Sequence, residues 1–477
     1  MKKVYIYALA YALTAVSCQD NEWGADSATP QAPEIEIPMG AADGELLIKF
    51  VPEMSDILDQ TLTRVGGVAT RSGIPSTDEV LNILGAYHFE RVFPVDPKTE
   101  KRTREAGMHL WYIVRFDKDA DLKEAARQLR KLGEISKIQS NPTLQRAYDP
   151  KKKTLYLSAS DLQHVTRTSE GLTFNDPGLK HQWHYRNAGN YDFVKKDRAE
   201  AIAGADVNCG EAWELCKGDP SIIVAVLDEG VMWSHPDLIA NMWTNEAEEI
   251  GSTEDKDGNG YKGDRYGYNF VKNTGVISWT SADDTGHGTH VAGTIAAENG
   301  NSIGVSGIAG GDGNTGSGVK IMTCQLFDGQ YGATLAAEAK AIKYAADNGA
   351  VVLQCSWGYN SPDANEALGY VPGPKNEQDW ENQYPLEKEA LDYFIHNAGS
   401  PNGVIDGGLA IFASGNEYAP SSSFPAGYSK CISVSAIAAD YTPSSYTNYG
   451  AEITLCAPGG DGDYYGTPGV ADDEFAW

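Results

Sequence analysis

Positive charge is scarce in this sequence. Its 38 lysines and arginines face 66 aspartates and glutamates, a formal net charge of −28. Such a surface repels a phosphate backbone, which argues against nucleic acid as a partner. Long apolar runs are scarce too: only 4–16 comes close, and it is too short to cross a bilayer in the usual way. No C-x-x-C pair occurs, so a zinc or redox motif of that kind is unsupported. No internal repeat is visible. What is present is 477 residues with 41% hydrophobic content, too long for one ordinary domain. That predicts two or three units and a sizeable core.

The first residues read as a targeting segment. Lys2 and Lys3 form a basic start, and Val4 to Val16 has the length of a signal-peptide apolar region. Ala15-Val16-Ser17-Cys18 then resembles a bacterial lipobox, which implies lipidation of Cys18 and a membrane anchor. Ala stands at −3, where Leu is commoner. A plain secretory signal with an incidental cysteine is the alternative. Either predicts export, to the cell envelope or surface or into the medium. Six further cysteines remain, and export permits disulfides. Yet Cys324, Cys355 and Cys431 lie in apolar strand-like runs and read as small core residues.

Residues 19–44 are polar, with several Pro, Ala and acidic residues, and predict a tether. Residues 45–148 read as a small α+β domain. Its strands are expected at Glu45–Val51, His109–Phe116 and Ile135–Ala147. Its helices are expected at Thr77–Leu84 and Asp121–Leu132, the second with Gly133 placed for a C-terminal cap. A mixed polar stretch, 149–190, follows. From 191 to 477 the pattern changes. Short apolar strands at Ile222–Leu227, Val319–Gln325, Val351–Ser356, Ala410–Ala413 and Ile432–Ala436 are separated by helical stretches. Leu335–Asn348, stopped by Gly349, and Glu387–Asn397, stopped by Gly399, are two of these. Buried strands alternating with helices predict a parallel α/β sheet.

Three motifs carry chemistry. In Val224 to Val231 an apolar strand runs into Asp228 and Glu229, the place where open α/β sheets hold reactive groups. Alone, such an acid is as readily a turn starter. In Thr285 to Thr294, His287 lies between two glycines and opens an Ala-rich helix, so other groups can approach its imidazole closely. Zinc on His287 and His290 is the rival, but the H-E-x-x-H spacing and its glutamate are missing. In Ile411 to Glu417 a buried strand ends in Gly415 and Asn416. The amide of Asn416 could donate to a developing oxyanion, or simply make a turn.

Together these residues resemble the subtilisin-like serine proteases, the subtilases. The likeness extends to His235-Pro236-Asp237-Leu238, Asn301 to Val305, Ser356-Trp357-Gly358 and Phe424-Pro425-Ala426, and covers about 174–470. The chain order Asp, His, Ser is established for subtilisin and is not revealed by these residues alone. The resemblance implies a doubly wound parallel sheet with helices on both faces, preceded by a small α+β propeptide-like domain. It implies a serine endopeptidase that cleaves protein or peptide substrates through an acyl-enzyme. Asp228 would orient His287 and stabilise its charged form, His287 would be the general base, and Asn416 would serve the tetrahedral intermediate. Ser356, Trp357 and Gly358 would form the edge on which a peptide lies extended. Ala413, Ser414 and Gly415 would wall the primary pocket. Glu229 departs from the family, which usually has Thr or Ser there.

The resemblance further implies that 45–148 is a propeptide, with its tail Ile135–Ala147 in the cleft and processing between Ala147 and about Gly171. An ordinary recognition domain is the alternative. Calcium is implied as well. Asp237 and Asn301 would offer side-chain oxygens, and Asn299, Ile303 and Val305 carbonyls, unless this is only a solvated loop. Asp255, Asp257, Asn259 and Asp264 resemble the start of an EF-hand loop. Tyr266 stands where that loop needs Glu, so an acidic turn is the alternative. The family's G-T-S-M-A stretch is missing: the chain reaches Gly466-Thr467-Pro468, and no serine follows Ser445. The expectation is a nucleophile beyond Trp477, and an inactive, poorly stable chain without it. A peptide-binding pseudoprotease is the alternative.

Overall fold

In the computed structural model, both faces of the first long strand find cover. The structure describes residues 35, 37, 41–64, 68–69, 71–146, 172–189, 201–399 and 405–461. The signal segment with Cys18, most of the expected tether, the window 147–171 and Gly466-Thr467-Pro468 lie outside the described residues. An antiparallel sheet comprises β1 (Ala41–Phe50), β2 (Val68–Ala69), β3 (His88–Arg91), β4 (Trp111–Arg115) and β5 (Ile135–Pro142), in the order β2-β3-β4-β1-β5. Its helices are α1 (Ser55–Arg64), α2 (Pro75–Ile83), α3 (Glu100–Glu105) and α4 (Leu122–Leu129). Leu46, Ile48 and Phe50 cluster with Ala125, Ala126 and Leu129 of α4. Leu47 points the other way, as strand alternation requires, and joins the large core with Trp111 and Ile113.

Several boundaries differ from the expected ones. β1 starts at Ala41, inside the expected tether, because backbone pairing to Pro142 orders residues that are polar by composition. Met108–Leu110 forms a 3-10 turn, so β4 begins at Trp111 and not at His109. Asp121 caps α4 by accepting the N–H groups of Lys123 and Glu124. Gly349 takes the left-handed φ of 87° that a helix C-cap uses, whereas Gly133 and Gly399 do not.

The second sheet comprises β6 (Ile223–Glu229), β7 (Gly267–Asn269), β8 (Lys320–Asp328), β9 (Tyr331–Gly332), β10 (Val352–Cys355), β11 (Leu409–Ala413), β12 (Ile432–Ile437) and β13 (Leu455–Pro458). The order is β13-β12-β11-β10-β6-β8-β7, all parallel, with β9 antiparallel on β8. Its helices include α5 (Cys209–Leu215), α6 (His287–Ala296), α7 (Leu335–Asp347), α8 (Glu377–Gln383) and α9 (Pro385–Asn397). Val224, Val226 and Ile321 meet Ala292 and Ala296 of α6. Ala225, Leu227, Met322 and Cys324 join the core that holds α7 and α9. The expected fold, a doubly wound parallel sheet covered on both faces, is thus present. The chain passes from β8 across β6 to β10, and such a reversal opens a crevice at the carboxyl ends of the strands.

Side chains of the N-terminal sheet cap two helices of the second. Asn141 Oδ1 accepts the Ala336 N–H at 3.0 Å, and Gln139 Oε1 accepts the Leu386 N–H at 2.8 Å. These satisfy amides at the first turns of α7 and α9 that have no intrahelical acceptor. Glu389 on α9 binds Lys49 at 2.7 Å and Lys137 at 3.0 Å, and accepts the Trp111 indole N–H at 2.7 Å. Among the described residues all six cysteines are free, and Cys324, Cys355 and Cys431 are buried as expected.

Two acids lie in the core between α7 and α9. Glu338 and Glu387 are both fully buried. Burial drives the Glu338 carboxyl well above the ordinary range, with the negative Glu387 adding to it, and burial raises Glu387 to about 7. Burial thus holds a proton on the pair where exposed glutamates have ionised. The folded state keeps that proton after the unfolded chain has lost it, so stability declines as pH rises from about 4.5 to about 7. Glu338→Gln removes the proton requirement. We expect urea unfolding at pH 9 to show the variant about 2 kcal/mol more stable than the parent, with little difference at pH 4.5. Parallel pH profiles for the two proteins would contradict a proton retained at Glu338.

Candidate active site

The last two residues of β6 are Asp228 and Glu229, both buried. The strand thus runs past its expected end at Leu227. The pairing with β8 slips by one residue between them, which re-aims Glu229. His287 is the first residue of α6, and its Nδ1 lies 2.8 and 2.9 Å from the two Asp228 oxygens. Glu229 Oε2 accepts the N–H groups of Thr285 at 3.0 Å, Gly286 at 3.0 Å and His287 at 3.2 Å. A carboxylate in that place also suits the positive end of the helix. A Cβ on Gly288 would stand 2.3 Å from the Glu229 carbonyl oxygen, so the glycine after His287 lets α6 touch β6 directly.

The electrostatics suit a base. Burial disfavours the imidazolium of His287, but the Asp228 charge, the Asp228 hydrogen bond and the Glu229 charge outweigh it and raise its pKa. Arg146 opposes them. Since Nδ1 donates to Asp228, Nε2 is left to accept a proton. The zinc alternative gains no support. Among the described residues, neither His287 nor His290 belongs to a group of three or more metal-ligand side chains.

A cavity opens beside His287. It is lined by Ser356, Trp357, Gly358, Ala413, Gly415 and Asn416, as expected, and also by Tyr359, Glu417 and Ser423. Ser414 is the exception among the expected walls. It is buried, and its Oγ faces the Asn448 carbonyl at 3.4 Å, because alternation along the chain turns it away from the cavity. Gly415 takes a φ of 112°, which brings the chain round to Asn416 at the cavity edge. Trp357 packs edge-on against Phe412, with ring centres 5.3 Å apart, and is a buried wall of the cavity.

The expected strand Ile135–Ala147 splits in two. β5 stops at Pro142, and the tail then joins the second sheet. Thr143 pairs antiparallel with Thr334, the Leu144 N–H donates to the Ala333 carbonyl at 2.9 Å, and Arg146 pairs antiparallel with Trp357. The tail thus lies extended beside the cavity, as an added strand would.

Residues 219–474, just over half of the chain, match the family model described as the Subtilase family. The chain belongs to the subtilase family. Similar proteins include halolysin from Haloferax mediterranei, 33% identical over 257 residues, covering 54% of this subtilase and 38% of halolysin. The extracellular protease of Xanthomonas campestris is 27% identical over 355 residues, covering 73% of this subtilase and 49% of that protein. Against the first of these relatives, then, the chain spans well under half of the length. Among solved structures, the epidermin leader peptide processing serine protease of Staphylococcus aureus is 17% identical with a TM-score of 0.48. That match covers 89% of this chain and 77% of that one.

Two oxygen-rich loops flank the subtilase sheet. Asp237 accepts from Asn301 Nδ2 at 2.7 Å and from the Val305 N–H at 2.9 Å, and Asn301 Oδ1 accepts from the Ile303 N–H at 2.8 Å. Burial raises Asp237 to about 6, with the charges of Asp176 and Glu298 adding to it. Asn299 Oδ1 is buried with no hydrogen-bond partner among the described residues. Asp176, which no sequence motif marks, joins the same loop by accepting the N–H groups of Gly300 and Ser302. In the second loop, Asp257 and Asp264 converge with Glu248, their ligand atoms within 4.8 Å of one another. Asp255 instead accepts the N–H groups of Gly258, Asn259 and Gly260, and Asn259 Oδ1 accepts that of Tyr261. Of the four expected residues, Asp257 and Asp264 thus belong to the converging carboxylate cluster, while Asp255 and Asn259 bind amides of their own loop. Glu248 precedes the loop in sequence, so the motif could not reveal it.

Proposed function

We propose that the complete protein is an exported serine endopeptidase that hydrolyses peptide bonds through an acyl-enzyme. The observation that carries this is the imidazole of His287, held through Nδ1 by both Asp228 oxygens at the mouth of the cavity that Asn416 edges. In this reading a serine from the segment after Trp477 attacks the substrate carbonyl. Its proton passes to Nε2 of His287 and then to the leaving amine, while the Asn416 amide donates to the oxyanion. Water, deprotonated by the same nitrogen, then releases the acyl group. Residues 45–148 act as propeptide, and the tail beside Trp357 blocks the cleft until it is cut. The gene read past the codon for Trp477 should stay open and encode a G-T-S stretch, and its product should hydrolyse casein. A stop codon there, with no hydrolysis, favours the peptide-binding pseudoprotease. The extracellular relatives support export. A lipid anchor on Cys18 belongs to the same reading, and Cys18→Ser should move the protein out of the membrane fraction.

Calcium belongs to this proposal as well. The donor sets around Asp237 and around Glu248, Asp257 and Asp264 are hard oxygens, which suit Ca²⁺. The buried, unpartnered Asn299 oxygen fits a cation at the first loop. We expect EGTA to lower the melting temperature by about 5–10 °C, restored by excess Ca²⁺. Identical melting with and without the ion would count against both loops.

A further inference from the structure

Glu229, the residue that departs from the family pattern, has a partner from the tail. The Arg146 side chain is only 9% exposed, and its guanidinium lies 3.1 Å from Glu229 Oε1 and 3.8 Å from Asp284 Oδ1. It donates to the carbonyl of Asp283 at 2.9 Å and to that of Gly329. Its carbon lies 5.8 Å from the centre of the Phe327 ring. Two buried carboxylates, two carbonyl oxygens and an aromatic ring thus converge on one planar cation. Both acids are about as buried as side chains become, 1% and 2% exposed, so an uncharged occupant would leave negative charge in the interior without its counter-ion.

We infer that this pocket is a subsite of the cleft that selects arginine or lysine in a bound peptide. The inference rests on the endopeptidase reading for its place in a substrate. The tail runs antiparallel past Trp357 with Arg146 opposite it. A peptide in that register sets one residue opposite Trp357, in the Glu229 pocket, and its next residue opposite Ser356, beside His287 and the cavity. The selected residue is therefore the second one before the cleaved bond. An acidic residue there meets two like charges, which disfavours it.

The complete gene product should be assayed on peptides that differ only at that residue. We expect kcat/KM for Arg to exceed that for Ala by about 10-fold or more, and Glu to be slower still. Glu229→Gln should lower the Arg-to-Ala ratio about 10-fold, a ratio that a purely structural defect leaves unchanged. Equal rates for Arg and Ala would overturn the subsite and leave the endopeptidase reading standing. A second measurement needs no turnover. In the present chain, hydrogen exchange of the Leu144 amide should quicken by about 10-fold or more in Arg146→Met, and much less in Arg146→Lys. Unchanged exchange in Arg146→Met would overturn the pocket. Quickened exchange with no peptide cleaved would keep the cation pocket and sink the endopeptidase reading.

Discussion

Asp228→Asn is expected to lower kcat of the proposed endopeptidase about 10⁴-fold, a magnitude carried over from well-studied Asp-His-Ser triads, subtilisin's among them. The side chain keeps its shape and its buried place. However, the amide no longer accepts two ways from Nδ1, and it removes the charge that stabilises the imidazolium. Steady-state kinetics on a peptide should show the loss in kcat and little change in KM. A loss under tenfold would mean that Asp228 does not orient the base. The same charges set the pH profile. Burial alone lowers the His287 pKa, but Asp228 and Glu229 raise it above 6.5. His287 must be neutral to act, so activity is lost as pH falls through a value above 6.5. Departure of the tail removes the opposing effect of Arg146 and moves that limb higher.

Asn416→Ala is expected to cost about 10²–10³ in kcat, again with KM nearly unchanged. That figure is the one known for subtilisin's own oxyanion asparagine. The argument from this structure is positional. Gly415 swings the chain out of β11, so Asn416 edges the same cavity as His287 and Ser356. A donor that acts only on the developing oxyanion changes kcat and not ground-state binding. If KM rose in step with the fall in kcat, Asn416 would be a pocket wall only.

Much of the subtilase half is legible in the amino-acid sequence. Asp228 and His287 sit in short motifs whose strand, glycine and helix context is local, and local context is what a sequence displays. The parallel sheet is legible because its buried strands are apolar on both faces. The boundary at Ala41 is hidden because backbone pairing, and not side-chain pattern, orders that end of β1. Ser414 is misplaced by its motif, which shows which residues are near a pocket and not which way each one turns.

By itself, then, the sequence determined the family, the sheet type and the identity of the acid–histidine pair, since each depends on residues adjacent in the chain. Tertiary structure alone decided the partners. It brought Arg146 to Glu229, Asn141 and Gln139 to the first turns of α7 and α9, Glu338 to Glu387, and Glu248 to Asp257 and Asp264. A charge in a sequence carries no sign of whether it will be buried or of what will face it. Burial and facing are set only when distant segments close on one another, and it is there that electrostatic energies become large.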